Sequence, residues 1–287
     1  MKTYEELISE LSKYDAQIVG QELPPHSTNL MHQLNKRVAN NIQLFNDVCS
    51  RYFKFRESAQ SSLNLSLADF VSCIVDKANN YMDYFVVNNP FSHQQDFTSS
   101  IVPEMLYFTF KKLLESHNCS VSVYAQQDLP IECMFDLYDG GRLVCKNKRL
   151  DLSLSQKTTL TLNETSYDFY IPLVAMEIKT NLDKNMLAGI ENSVASLKKT
   201  FPKCMYFVVS EFADFDSSKL NYASSDIDEI FIIRNQKRAD IRDNKNPKNA
   251  INKNLVLELA SNADKMLLAF MRNNLTLEEK MRTGKLI

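Results

Sequence analysis

Three charged side chains of this 287-residue sequence have the types and spacing for metal-assisted hydrolysis. Glu177 and Lys179 close an apolar run, Ile171 to Thr180, with Pro172 near one end and a polar helix start beyond the other. Side chains alternate faces along a strand, so Glu177 and Lys179 share a face while Met176 and Ile178 pack on the other. A carboxylate and an ammonium at the end of a buried strand are costly to hold unless paired or used.

Asp151, in the alternating run Arg149 to Leu154, is the third member. If the turn cluster Asn163 to Ser166 closes a hairpin centred between Glu164 and Thr165, residues whose numbers sum to about 329 face one another. Asp151 then falls opposite about residue 178, and a bulge would shift it by only ~1–3 residues. Asp168 is the rival, but it precedes Glu177 on the same strand and would lie about 30 Å away at ~3.3 Å per residue. Two further acid-x-lysine triplets, Asp243 to Lys245 and Glu278 to Lys280, sit in polar context where surface ion pairs explain them.

Two hard carboxylates can hold Mg²⁺ and leave positions for water and a substrate phosphate. Such a cation stabilises charge on phosphoryl oxygens and lowers the pKa of a bound water, which a nearby lysine can orient. The competing reading is an Asp–Lys–Glu ion cluster that only joins two strands, although such clusters seldom repay their desolvation.

The elements that must position these residues can be read from periodicity. Residues 2 to about 95 read as helical, with apolar stripes Tyr4–Leu7–Ile8–Leu11 and Val38–Ile42–Phe45–Cys49, a third stretch from Leu65 to Tyr84, and a break at Pro24–Pro25. After a loop from Asn88, a serine and Pro103 announce a helix running to about Ser116. Short strands follow: Ser120 to Tyr124, Ile131 to Tyr138, a turn at Asp139–Gly140–Gly141, then strands from Arg142, Arg149 and Thr158. Asp183 caps a helix to about Thr200 whose inner face holds Met186, Leu187, Ile190, Val194 and Leu197. Met205 to Val209 and Glu229 to Arg234 are further strands, and Leu255 to Arg272 is an amphipathic helix. The order predicts an α/β (α+β) fold with one central mixed sheet flanked by helices. Three regions are expected: a helical part over 1–95, a core over 96–235 that holds the three charged residues, and a basic loop with a C-terminal helix over 236–287; the resemblance given below implies DNA recognition or subunit contact for the first.

Hydrophobic residues make up 44% of the chain, enough for a sizeable core, and the net charge of −2 excludes a nonspecific polyanion binder. No apolar run reaches the ~20 residues that cross a bilayer, and the start carries no apolar signal region, so a soluble cytoplasmic protein is expected. Six scattered cysteines and four histidines show no zinc-ligand spacing and read as free, mostly buried thiols.

The pattern Leu150–Asp151, then Glu177–Ile178–Lys179 on the next strand, then a helix and a strand, resembles the PD-(D/E)XK nuclease core. That resemblance implies Mg²⁺-dependent hydrolysis of DNA to a 3′-hydroxyl and a 5′-phosphate, with Mn²⁺ able to substitute. It implies metal ligation by Asp151, Glu177 and the Ile178 backbone carbonyl, and a water-activating Lys179. Leu150 replaces the family's proline. Many members add an acid from the preceding helix; Glu104 is the residue available, and a first-turn glutamate favoured by the helix dipole is the other reading. Over most of its length, through the helical front third, Lys148 to Leu154 and Val174 to Thr180, the chain resembles one subunit of the BbvCI-type type II restriction endonucleases. This implies a bacterial heterodimer with a related subunit, acting on double-stranded DNA at an asymmetric CCTCAGC-like site, one strand per subunit. The basic stretches Arg142 to Lys157 and Arg234 to Asn254 would then contact phosphates and base edges, or else be solvated linkers. A structure-specific repair nuclease and a noncatalytic DNA-binding protein remain as alternatives.

Overall fold

The computed structural model describes residues 1–15, 26–37, 42–88, 95–136, 142–162, 164–215, 225–242, 247–272 and 282. Among the described residues α-helices come first: α1 (Tyr4–Asp15), α2 (His26–Arg37), α3 (Ile42–Ser61), α4 (Leu67–Asn88), α5 (Gln95–Ser99) and α6 (Ile101–Leu114). Of the apolar stripes, Leu7, Leu11, Phe45 and Cys49 are buried, Tyr4, Ile8 and Ile42 are half-buried, and Val38 lies outside the described residues. Pro103 occupies the first turn of α6, but Ser100 before it does not cap the helix; its hydroxyl donates to the Phe97 carbonyl at 2.9 Å.

The sheet has five strands in the order β1-β2-β3-β4-β5. These are β1 (Val121–Asp136), β2 (Arg142–Leu162), β3 (Thr165–Leu182), β4 (Met205–Ala213) and β5 (Glu229–Ile232). The first three run antiparallel as a meander, and β4 and β5 continue parallel to β3. The short strands expected between Ser120 and Leu162 are fused into the two long strands β1 and β2. Pro130 does not interrupt β1 because β1 is an edge strand and its register shifts between Pro130 and Glu132, where a missing N–H is tolerated. The expected turn at Asp139–Gly140–Gly141 lies outside the described residues.

Helix α7 (Lys184–Thr200) links β3 to β4 and starts where expected, with the Asp183 carboxylate accepting from Met186 N at 2.8 Å. Leu187, Ile190, Val194 and Leu197 pack under the sheet, whereas Met186 is exposed rather than inward. After β5 come α8 (Arg238–Arg242) and α9 (Lys253–Arg272). α9 buries Val256, Leu259, Ala260, Ala263 and Leu267, and Lys253 ties its start to Asp76 of α4 at 2.6 Å.

Two apolar clusters sandwich the sheet. The larger joins α1–α6 and α9 to Leu152, Leu154, Val174, Met176 and Ile178; the smaller joins α7 to Leu129, Leu150, Ala175, Tyr206 and Val208. No helix among the described residues is long and apolar enough to cross a membrane. Of the six cysteines only Cys49 and Cys204 are buried, so the thiols are not mostly buried as expected.

Candidate active site

The β2–β3 hairpin brings Asp151 to Glu177 and Lys179. Glu164 takes a positive φ of 65°, Leu162 pairs with Thr165, and the register shifts once between Leu154 and Ser155, so that Leu152 faces Met176. The ladder ends at that pair, one residue from the expected register, and leaves Asp151 beside Glu177 and Ile178.

Asp151 sits where β1 and β2 lose their alternation. Ala125 pairs with Leu152 and Gln127 with Leu150, while Gln126 between them takes a positive φ of 53°. Residues two apart on a strand should share a face. Yet Leu152 packs in the larger cluster and Leu150 in the smaller one, as Ala125 and Leu129 do on β1. The ribbon therefore turns over at Gln126 and Asp151, a local irregularity of the kind that re-aims side chains beside active sites. Lys148, Leu150 and Asp151 all come to the α7 side.

That face holds a compact polar cluster. Asp151 Oδ2 accepts from the Ile178 backbone N–H at 2.7 Å and lies 3.7 Å from Lys179 Nζ. Lys179 Nζ is also 2.9 Å from Glu177 Oε1, so one ammonium bridges both carboxylates. Glu177 Oε2 meets Lys148 Nζ at 3.1 Å and accepts from the Tyr206 hydroxyl at 2.9 Å. Lys148 and Tyr206 were not anticipated. Strand parity placed Lys148 on the face opposite Asp151, but a tyrosine amid the buried aliphatics of β4 was a signal, since a buried hydroxyl needs a partner.

Burial raises the Asp151 carboxyl above the usual carboxylate range, outweighing Lys179 and the Ile178 N–H, with Glu177 adding to the rise. Burial acts in the same sense on Glu177, but there Lys179 and Lys148 outweigh it and hold the carboxyl low. For Lys179 burial opposes the charge, and the two carboxylates overcome it and raise its pKa. Burial and Glu177 both raise Tyr206, keeping it a neutral donor.

A cavity of about 740 Å³ opens over Asp151, Ile178 and Lys179, walled by Ser100 and Pro103 at the start of α6, by Gln126 and by Arg238. The oxygens available suit a hard cation: two carboxylates, and the Ile178 carbonyl, which in an extended strand leaves the same edge as the N–H bonded to Asp151. Lysines now neutralise these carboxylates, a place a divalent cation can share. Among the described residues no three His, Cys, Asp or Glu side chains gather to hold a metal. Glu104 does not join the cluster. Its side chain is fully buried, with Oε1 2.8 Å from Arg56 Nη1 and 2.9 Å from the Tyr52 hydroxyl, so the carboxylate serves an ion pair between α3 and α6.

The basic stretches are also less free than their sequence suggested. Arg234 is 1% exposed and donates to Glu211 Oε2 at 2.7 Å, with Lys248 Nζ 3.3 Å from the same oxygen. Lys157 pairs with Asp168 at 2.8 Å, Lys146 with Glu132 at 3.4 Å, and Lys253 with Asp76. Arg238 lines the cavity. Asp243 to Lys245 and Glu278 to Lys280 lie outside the described residues.

The fold is similar to that of a chain in the native BbvCI A2B2 tetramer, with a TM-score of 0.66 and 21% identity over 84% of this chain and 95% of that one. No curated protein matches. Residues 138–255, which contain Asp151, Glu177 and Lys179, match the model of the Bpu10I restriction endonuclease family. The chain is therefore built on the BbvCI fold, as its sequence resemblance anticipated, and its central segment matches a restriction endonuclease family.

Proposed function

We propose that the chain is one catalytic subunit of a type II restriction endonuclease, hydrolysing one strand of double-stranded DNA with Mg²⁺. The observation that carries this reading is that Lys179 bridges Asp151 and Glu177 beside a cavity that Asp151 and Lys179 themselves line. It is supported by the match of that segment to a restriction endonuclease family.

Asp151, Glu177 and the Ile178 carbonyl would hold the cation, which when bound supplies charge stabilisation at phosphorus and acidifies water. The chain's own residues do the rest. The Ile178 N–H and Lys179 fix Asp151; Lys148 and Tyr206 fix Glu177. Lys179, held over both carboxylates, is placed to orient the attacking water and favour hydroxide. Arg238, lining the cavity, is placed to meet a phosphate.

One such cluster cuts one strand. A double-strand break then needs a second active centre, which a related partner subunit would supply; the similar BbvCI chain belongs to an A2B2 tetramer. The finer reading is a heterodimer acting at an asymmetric CCTCAGC-like site and leaving 5′-phosphates.

The test is plasmid cleavage by the reconstituted enzyme carrying Glu177→Ala. DNA binding should persist, and the product should be a circle nicked in one strand only. Cutting of both strands at the normal rate would sink the assignment.

A further inference from the structure

Outside the nuclease cluster, one pair of reactive side chains stands out by register. Cys133 of β1 and Cys145 of β2 are direct cross-strand partners, and their sulfurs lie 3.1 Å apart. Both are free thiols; Cys133 is exposed and Cys145 half-buried. The pair lies past the irregularity at Pro130, on an outer stretch of ribbon that also exposes Glu132 and Met134.

Directly opposed residues of an antiparallel pair have Cα atoms about 4.5–5.5 Å apart, inside the ~4.4–6.8 Å range that disulfides span. Sulfurs already in contact need to close by only about 1 Å to reach a bond of ~2.05 Å. Of the other four cysteines, Cys49 and Cys204 are buried, Cys73 meets the Ser62 hydroxyl at 3.6 Å, and the half-buried Cys119 precedes β1 and lies outside the β1–β2 ladder.

We infer that Cys133 and Cys145 form a dithiol site that takes up a small-molecule disulfide by exchange and closes to an internal cross-strand disulfide. The exposed Cys133 thiolate attacks one sulfur of the incoming disulfide, breaking its S–S bond, forming a mixed disulfide and expelling one thiol. Burial, with Cys133 adding, pushes the Cys145 thiol up to about 11, so Cys145 is the slower nucleophile and acts second. Its thiolate attacks Cys133 Sγ, forms the protein S–S bond and releases the second thiol. The protein loses two hydrogens and the incoming disulfide gains them, so no other oxidant is needed. The staple fixes the register of the outer ribbon whose strand β2 continues to Lys148 and Asp151. This site is independent of the nuclease reading.

The experiment treats the full-length protein with oxidised glutathione, blocks the remaining thiols by alkylation, and maps peptides without reduction. The expected product is a Cys133–Cys145 linked peptide with no glutathione retained on either residue, reverting to two free thiols with dithiothreitol. Cys145→Ser should instead keep glutathione on Cys133. The inference is overturned if the wild-type chain retains glutathione on Cys133 without a cross-link, if Cys133 links two chains, or if the internal bond forms only in urea-unfolded protein.

Discussion

Replacing Glu104 separates its two readings, metal ligand or half of a buried ion pair. The Arg56 and Glu104 side chains are 1% and 0% exposed and 2.8 Å apart, and Tyr52 bonds to both. Glu104→Leu takes one charged partner away from the buried guanidinium, a change that costs ~3–5 kcal/mol when a buried pair loses one partner. The guanidinium also lies over the rings of Tyr14 and Phe108, at 4.8 and 5.1 Å. Such contacts contribute up to about 2 kcal/mol to a desolvated cation, which places the expected loss near ~3 kcal/mol.

Arg56→Met behaves differently because a carboxylate can escape its charge by binding a proton. Its penalty at pH 7 is capped near about 3.5 kcal/mol, the cost of protonating a carboxyl of ordinary pKa. With the Glu104 pKa raised in that variant, the folded state holds a proton that the unfolded state releases above pH ~4.3, so stability falls as pH rises. The Glu104→Leu penalty should be flat over the same range, and the double variant should return to within about 2 kcal/mol of wild type. Urea melts at pH 5.5 and pH 8, followed by circular dichroism, measure all three. If Glu104→Leu loses less than about 1 kcal/mol while Mn²⁺ binding disappears, the ion-pair reasoning is wrong and Glu104 is a ligand.

Lys148→Ala removes one charge-assisted bond of ~1.5–3 kcal/mol from Glu177 and should slow single-turnover cleavage by about 10- to 100-fold; an unchanged rate would make Lys148 a bystander. Tyr206→Phe removes only a hydroxyl donor to the same carboxylate, so a loss of about tenfold with an intact fold is expected, and a loss as large as that of Glu177→Ala would refute this ranking. His26 is fully buried between Ser100 and Tyr81, and burial lowers its pKa to about 3. Because only the unfolded state binds the proton between pH 6.5 and 3, this stability is present above pH 6.5 and lost on acidification, by about 2 kcal/mol at pH 5. The wild-type loss between pH 7.5 and pH 5 should shrink by that amount in His26→Gln; an equal loss in both would exclude His26 as its source.

What the sequence made legible, and what it hid, differ in physical kind. The helices and the Asp151–Glu177–Lys179 convergence follow from periods of 3.6 and 2 that hold over long stretches. The hairpin register was off by one, yet carboxylate and lysine side chains reach further than that error. Strand lengths were harder, because Pro130 reads as a breaker unless one knows that β1 is an edge strand. Arg234 read as a surface base because its partner Glu211 comes from a different strand and carries no mark of burial.

Lys148 was hidden for a more local reason, and that reason bears on function. A regular β2 would put Lys148 and Asp151, three residues apart, on opposite faces. The overturn at Gln126, a non-glycine residue at positive φ, brings both to Glu177. That backbone costs about 1 kcal/mol or more, and nothing in the Gln126 side chain asks for it. The larger core takes Ala125 and Leu152 on one side of the break, and the α7 cluster takes Leu129 and Leu150 on the other. The two clusters thus impose the strained residue between them. The strain is the means by which two apolar cores set two lysines over one pair of carboxylates.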